Sequence, residues 1–342
     1  MKKVVVTGSA GFIGGYIVEE LLAKGYQVVG VDNFSKYGPV TKSYDNNPDY
    51  ELVVGDVQDV ELMTRLLSDA DHFIASAALI GGISYFHTYA YDLLAQNERI
   101  IASSVDAAIA AKKAGGRLEK VTYMSSSMVF ESTDRWPSKE GDERIVPPPL
   151  SSYGFQKLAV EYFAHAAWDQ YKLPYTILRP FNCVGIGERR ALGDVEIHSG
   201  NVALAMSHVV PDLVQKILKG QDPLHILGGG DQVRHYTYGG DLARGIVLSL
   251  EHPAALNNDF NISTADGHTV TELAGIIWEK IKGPGVPLHL IHDEGFEHDV
   301  QKRIPDVSKA KDLLGFEATT KLEDMLDEVI PWIENAISEG TI

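Results

Sequence analysis

A single cysteine, Cys183, stands in a chain of 342 residues. That excludes an intrachain disulfide and a cysteine-built metal framework, and it fits a reducing compartment, with the cytoplasm as the expected address. Cations are scarce too: 30 Lys and Arg face 47 Asp and Glu, a formal net charge of −17. A field of that sign opposes non-specific binding to nucleic acid or an anionic membrane, so a phosphorylated ligand has to be held by local donors. No apolar run approaches the ~18 residues of a spanning helix. The apolar stretch after Lys2 and Lys3 breaks into Thr7-Gly8-Ser9, a strand entering a turn rather than a secretory leader. There is no internal repeat and no low-complexity linker. The remaining composition is ordinary for a globular protein, 44% hydrophobic and 23% charged, enough for one large core or two joined ones.

The first half alternates short β-branched runs with helical patterns. "KVVVT", "YQVVGVD", "YELVVGD", "DHFIAS", "KVTYMSS" and "PYTILRP" predict strands, and helices are expected at about 12–24, near Leu62, and at about 91–113 and 153–171. Strands alternating with helices predict a parallel sheet covered on both faces, an α/β, doubly wound (Rossmann) architecture. After Pro180 the pattern turns glycine-rich and irregular, with helices at about 209–218, 269–282 and 322–336. The expected organisation is one unit over 1–180, with returns near 232–262 from "VRHYTY" and "DFNIS", and a smaller, mainly C-terminal α/β lobe over 181–342.

Gly8, Gly11 and Gly14 in "TGSAGFIGG" lie between the first strand and the first helix, spaced GxxGxxG. Glycine permits the tight turn and lets the backbone approach a pyrophosphate, whose charge meets the helix N-terminus. Asp32 closes the second strand, where a carboxylate can accept both ribose hydroxyls of an adenosine and would repel a 2′-phosphate. The order strand, glycines, helix, acid favours NAD over NADP, and favours both over a glycine turn that binds nothing. Asp56 and Val57, in "GDV" at the end of the third strand, offer an edge for adenine, although the segment reads equally well as a turn.

Tyr153 and Lys157 in "YGFQK" are four positions apart and share one helix face. A free phenol, with a pKa of about 10, is a poor base at neutrality. An ammonium about 4 Å away would favour the phenolate by ~4 kcal/mol at an effective dielectric of 20, roughly three pKa units before desolvation is subtracted. A cationic nicotinamide would push the same way, so the pair is expected to supply a base near neutral pH. "YMSSSMVF" follows the fifth strand, which places Ser125, Ser126 and Ser127 at the C-terminal sheet edge, where ligands of open α/β folds bind. A tyrosine and a lysine at this spacing occur on many helices by chance. The upstream dinucleotide site gives the pair its chemical meaning.

Together "TGSAGFIG", Asp32, "SSSMVF" and "YGFQK" resemble the extended short-chain dehydrogenase/reductases, and among them the nucleotide-sugar epimerases and dehydratases. "RPFNCVG", "QVRHYTYGGDLARG" and "RIPDVSKAKDLLGFEATTKLEDML" match that family's later segments in order, so the resemblance spans nearly the whole chain. It implies a catalytic set in which Ser126 orients a sugar hydroxyl, Tyr153 removes its proton, and Lys157 holds the nicotinamide ribose and lowers the tyrosine pKa. It implies an NAD-binding first unit using Gly8, Gly11, Phe12, Ile13, Gly14, Asp32, Asn33, Asp56, Val57, Ala75, Asn97, Tyr153 and Lys157. It also implies a nucleotide-sugar contacted by Ser126, Ser127, Asn182, His208, Arg234 and Arg303, mainly in the second lobe. The two arginines match cations that clamp the diphosphate in relatives, a task that suits guanidinium. Asn97 reads equally well as part of a solvated helix face, and His208 as a helix-start residue.

Dehydratases of the family carry an Asp-Glu pair right after the catalytic Thr. Decarboxylases have a glutamate where Met128 stands, and 3,5-epimerases and epimerase-reductases a cysteine. This chain has Ser127 and Met128, and a thioether cannot exchange protons at carbon. The resemblance then implies a 4-epimerase: oxidation at C4, rotation of the 4-keto sugar, and return of the hydride to the opposite face. "AALIGGISYF" resembles instead a GDP-sugar branch in which His208 matches a catalytic histidine, so a UDP-sugar is favoured and a GDP-sugar stays open. An NAD(P)H-dependent reductase of a non-sugar carbonyl is disfavoured by the arginines and "RIPD". A non-catalytic NAD-sensing protein would have no use for Ser126, Tyr153 and Lys157 together. A homodimer through the 91–113 and 153–171 helices is implied by the resemblance alone; the small residues of "IIASSVDAAIAA" suit that packing and an intramolecular core equally.

Overall fold

The computed structural model describes residues 1–80, 89–189, 191–192, 197–204, 208–295 and 300–342. The β-branched runs form β1 (Lys3–Thr7), β2 (Gln27–Asp32), β3 (Tyr50–Val54), β4 (His72–Ala75), β5 (Lys120–Met124) and β6 (Tyr175–Pro180). Short strands follow: β7 (Cys183–Val184), β8 (Ile197–Ser199), β9 (Val202–Leu204), β10 (Leu224–Leu227), β11 (Val233–Arg234) and β12 (Thr237–Tyr238). The last are β13 (Asn258–Ile262), β14 (His268–Thr269) and β15 (Leu290–Asp293). The large sheet is parallel, in the order β3-β2-β1-β4-β5-β6-β13. It is the expected doubly wound sheet. Strand order reverses between β1 and β4, which opens a crevice at the C-terminal edge there.

Helices cover both faces, so the central strands are apolar on both sides and Val4, Val5, Phe73, Ile74 and Val121 are fully buried. On one face α2 (Val60–Ser68), α3 (Ala90–Lys113) and α4 (Ser152–Tyr171) bring Met63, Leu67, Val105, Ala108, Val160 and Ala164 onto Val5, Phe73 and Val121. The small residues Ala107, Ala108 and Ala111 of α3 are buried inside this layer. On the other face α1 (Phe12–Ala23), α6 (Gly239–Glu251) and α8 (Ser308–Leu314) pack Ile17, Leu21, Leu242, Ile246 and Leu314 on Val4, Ile74 and Leu178.

A further hydrophobic cluster lies after β6, in which α5 (Val209–Leu218), α7 (Val270–Lys282) and α9 (Leu322–Ser338) join Leu213, Ile217, Leu273, Ile277, Met325, Val329 and Ile333. Of the two segments expected back at the large sheet, "DFNIS" arrives as β13. "VRHYTY" instead splits, β11 pairing with β14 and β12 with β7. Directly after it, α6 brings the chain back over the sheet. Among the described residues no helix is long and apolar enough to cross a membrane.

Candidate active site

β1 is followed by Gly8, whose φ of +72° turns the chain beneath α1 while its N–H bonds the Val31 carbonyl at 2.8 Å. A Cβ on Gly14 would stand 2.0 Å from the Gly8 carbonyl oxygen, and one on Gly11 3.1 Å from it, so the first turn of α1 is pressed against the loop. No side chain caps α1 at Gly11, which leaves its first N–H groups to an anion. Asp32 accepts the Ala10 N–H at 3.0 Å on one carboxylate oxygen and the Phe34 N–H at 2.8 Å on the other. It anchors the glycine loop and keeps lone pairs for ligand hydroxyls.

Gly8, Gly11, Phe12, Ile13, Gly14, Asp32, Asn33, Asp56 and Val57 all line one cavity of about 1010 Å³. Ser76, Ala77, Ala78, Leu79 and Ile80 form its wall beyond β4. Ala75 and Asn97 are not brought to this cavity; they lie behind that wall. Asn97 is buried rather than solvated, accepting the Leu79 N–H at 2.7 Å and donating to the Leu79 carbonyl at 2.9 Å. It supports the wall. Gly81 and Gly82 of the segment resembling the GDP-sugar branch lie outside the described residues.

The catalytic candidates come from β5 and α4. Ser151 caps α4, its Oγ accepting the Gly154 N–H at 3.0 Å, and Glu131 accepts both the Ser151 N–H at 3.1 Å and its hydroxyl at 2.7 Å. That cap fixes the first turn, so Tyr153 and Lys157 meet the end of β5. Lys157 Nζ donates to the Met124 carbonyl at 3.0 Å, and the Tyr153 phenol is hydrogen-bonded with Ser126. Ser126 Oγ also accepts the Met128 N–H at 3.2 Å. Ser126, Tyr153 and Lys157 line the same cavity as the glycines.

Burial raises the Tyr153 phenol above its ordinary value, and the hydrogen bond with Ser126 and the charges of Arg303 and Lys36 offset this only in part. Lys157 Nζ is 5.9 Å from the Tyr153 ring centroid, and burial lowers its pKa to about 8. Desolvation therefore outweighs the attraction between the two side chains. Both shifts run against the charged forms, and a cation brought by a ligand would favour the phenolate.

In the same cavity, Arg234 and Arg303 sit on adjoining segments: Val233 bridges Lys302, and the Arg303 N–H donates to the Val233 carbonyl at 3.1 Å. Arg234 Nη1 donates to that same carbonyl at 3.0 Å, and Arg303 Nη1 reaches Asn182 Oδ1 at 3.5 Å. Both arginines line the cavity, and guanidinium is the side chain suited to an anion in an acidic chain. Asn182 and Ser127 line the cavity as well. His208 precedes α5 at the N-cap position, but its side chain makes no capping bond; its Nδ1 pairs instead with the Glu188 carboxylate. Burial pushes Glu188 up, but His208 and Lys36 outweigh it and hold the carboxyl below its usual range. Lys36, Tyr37 and Glu188 are cavity residues that sequence reasoning missed. Lys36, four residues after Asp32, carried a usable signal; Glu188 in "GIGERR" carried none.

The model of the NAD dependent epimerase/dehydratase family matches residues 4–263. The chain belongs to that family. Over 346 residues it is 28% identical to the uncharacterized UDP-glucose epimerase YtcB of Bacillus subtilis, covering 97% of this chain and 98% of that one. It is 27% identical over 345 residues to the UDP-N-acetyl-alpha-D-glucosaminuronate decarboxylase of Bacillus cytotoxicus, covering 98% and 99%. The solved structure of the UDP-glucuronic acid 4-epimerase from Bacillus cereus, in complex with UDP-glucuronic acid and NAD, is similar with a TM-score of 0.78 at 26% identity, over 97% of this chain and 99% of that one. The chain is thus an enzyme of a family that uses NAD, and the glycine cradle with Asp32 fits that cofactor.

Proposed function

We propose that this enzyme inverts C4 of a UDP-sugar through a 4-keto intermediate. One observation carries the proposal: Ser126, Tyr153 and Lys157 share a cavity with Ser127 and Met128, which occupy the positions where dehydratases and decarboxylases hold acids. Glu131, which also lines the cavity, is committed to the Ser151 cap. The relatives named as epimerases of UDP-glucose and UDP-glucuronic acid support a UDP-sugar.

In this reading Ser126 orients the C4 hydroxyl and Tyr153 takes its proton. NAD, when bound, supplies a hydride acceptor and donor and a positive ring that opposes the effect of burial on the phenol. Lys157 uses one donor on Met124 and has others for ribose hydroxyls. Arg234 and Arg303, beside Asn182, hold the diphosphate while the keto sugar turns its other face. Residues 1–180 with β13 and α6 form the NAD half, and the lobe after 181 the nucleotide-sugar half. We assign homodimer contacts to the outer faces of α3 and α4, where Tyr91, Phe155 and Tyr162 are exposed. The His208–Glu188 pair in the cavity favours a second reading, a GDP-sugar epimerase or epimerase-reductase.

NMR of UDP-glucose or UDP-glucuronic acid incubated with enzyme and NAD is expected to show inversion at C4. Loss of water or carbon dioxide without inversion defeats the proposal, and turnover of GDP-sugars alone selects the second reading. Tyr153→Phe is expected to lower turnover about a thousandfold while NAD affinity stays within about twofold.

A further inference from the structure

A charged cluster beneath the site has no part in the chemistry above. Arg179 of β6 is fully buried among carboxylates. Its Nε and Nη2 donate to the two oxygens of Glu161 at 2.7 and 2.6 Å, its Nη1 to Asp259 at 2.6 Å, and Glu143 lies 3.4 Å away. Removing such groups from water costs several kcal/mol per ion, and apolar residues often hold a core as well, so stability alone does not explain them.

Glu161 follows Tyr153 and Lys157 on one face of α4 at the same four-residue spacing. Its Oε1 accepts the Ser125 hydroxyl at 2.6 Å. One turn earlier, Lys157 Nζ donates to the Met124 carbonyl at 3.0 Å. Two hydrogen bonds of opposite direction therefore cross between α4 and the consecutive residues Met124, which ends β5, and Ser125, which follows it, and the next residue along is Ser126. Arg179 also lies 5.5 Å from the ring centroid of Phe130, which ends the turn that Ser126 caps.

We propose that Ser125 and Glu161, backed by Arg179, are positioning residues that hold Ser126 in register with Tyr153 and Lys157. The proposal rests on the catalytic reading of those three residues. The bidentate grip of Arg179 fixes the Glu161 carboxylate, the carboxylate fixes Ser125, and the backbone leaving β5 carries that constraint to the adjoining Ser126. A 1 Å misplacement at a reacting site is worth on the order of 10²-fold in rate.

Ser125→Ala removes the hydroxyl and leaves the Arg179–Glu161 pair, while Ser125→Thr keeps a hydroxyl. Measured per NAD-binding site, Ser125→Ala is expected to lower kcat about tenfold or more, with KM and NAD affinity within about twofold and most of the rate restored in Ser125→Thr. In protein labelled with 13C at lysine Cε, the Lys157 ammonium, near 8 in the wild type, is expected to titrate higher in Ser125→Ala, because a loosened helix lets it reach water. Where the wild type turns over a nucleotide-sugar, kcat decides: a rate within about twofold of wild type, or a loss that Ser125→Thr does not rescue, overturns the proposal. Where it turns over none, the proposed reaction has failed separately and the lysine titration decides alone, an unchanged value overturning the positioning role. If Ser125→Ala does not fold, Glu161→Gln is read by its own kcat, KM and lysine titration in the same directions.

Discussion

Gly14 and Gly25 are glycines for different physical reasons. At Gly14 the constraint is space, since a Cβ would meet backbone atoms, the Gly8 oxygen at 2.0 Å and carbon at 2.9 Å and the Ser9 Cα at 3.0 Å. At Gly25 it is the backbone: φ is +78° and nothing lies within 4 Å of an added Cβ. Gly14→Ala has to lift α1 off the loop that would carry the pyrophosphate, so its NAD affinity is expected to fall at least about tenfold, the equivalent of 1.4 kcal/mol. Gly25→Ala is expected to keep NAD affinity and to lose about 1 kcal/mol of stability to left-handed strain. Calorimetric titration of both variants with NAD, and their melting curves, check this. Equal losses of affinity would remove the packing explanation. The shared face of Tyr153 and Lys157 was legible from their spacing along one helix, and Gly14 and Asp32 from their places at the start of a helix and the end of a strand. The extent of desolvation at the Tyr153–Lys157 pair was not legible, because it depends on what α4 is packed against.

Elements were legible where their period was long and uninterrupted. α3 and α4 run for many turns and announce themselves, and the β-branched strands of a parallel sheet do the same. α6 was not singled out because two glycines, Gly239 and Gly240, open it straight after the two-residue strand β12. Gly239 is needed there: a Cβ would come within 2.6 Å of the Tyr16 ring, so α6 settles directly on α1. Contacts across long sequence gaps were hidden altogether, as with Ser125 and Glu161, 36 positions apart, and Arg179 and Asp259, 80 apart. Asn97 belongs to the same class, its two bonds to Leu79 tying α3 to the cavity wall. Asn97→Ala takes away the partners of one N–H and one carbonyl, a cost of about 1–3 kcal/mol. The wall at 76–80 is then expected to loosen, with weaker NAD binding and a kcat at saturating NAD close to wild type. A steady-state NAD titration measures this, and a large fall in kcat at saturation would place Asn97 in the chemistry instead.

Across the whole molecule, the C-terminal edge of the sheet serves ligands and the N-terminal edge carries ion pairs. Lys2 with Glu119, Lys3 with Asp69 and Arg117 with Asp71 tie the strand starts together, but these pairs are largely exposed and contribute little. Lys120, the first residue of β5, is different: it is 3% exposed, and its Nζ donates to the Thr176 hydroxyl at 2.9 Å and the Ser249 carbonyl at 2.6 Å. Burial lowers its pKa to about 8, although Glu119 and Glu251 pull upward. Below pH 8 Lys120 is charged in both folded and unfolded chains, and the folded state bears the full desolvation cost. Between pH 8 and 10.5 the unfolded chain binds a proton that the folded chain has released, so stability from this group rises with pH. In Lys120→Met that contribution is absent, while the buried tyrosines and Cys183, which titrate in the opposite sense, are common to both proteins. The stability of wild type relative to Lys120→Met is therefore expected to grow across that interval, by at most roughly 3 kcal/mol. Urea melts of both proteins at pH 7, 8, 9 and 10 measure the difference. A flat difference would mean that Lys120 keeps an ordinary ammonium pKa in the folded protein.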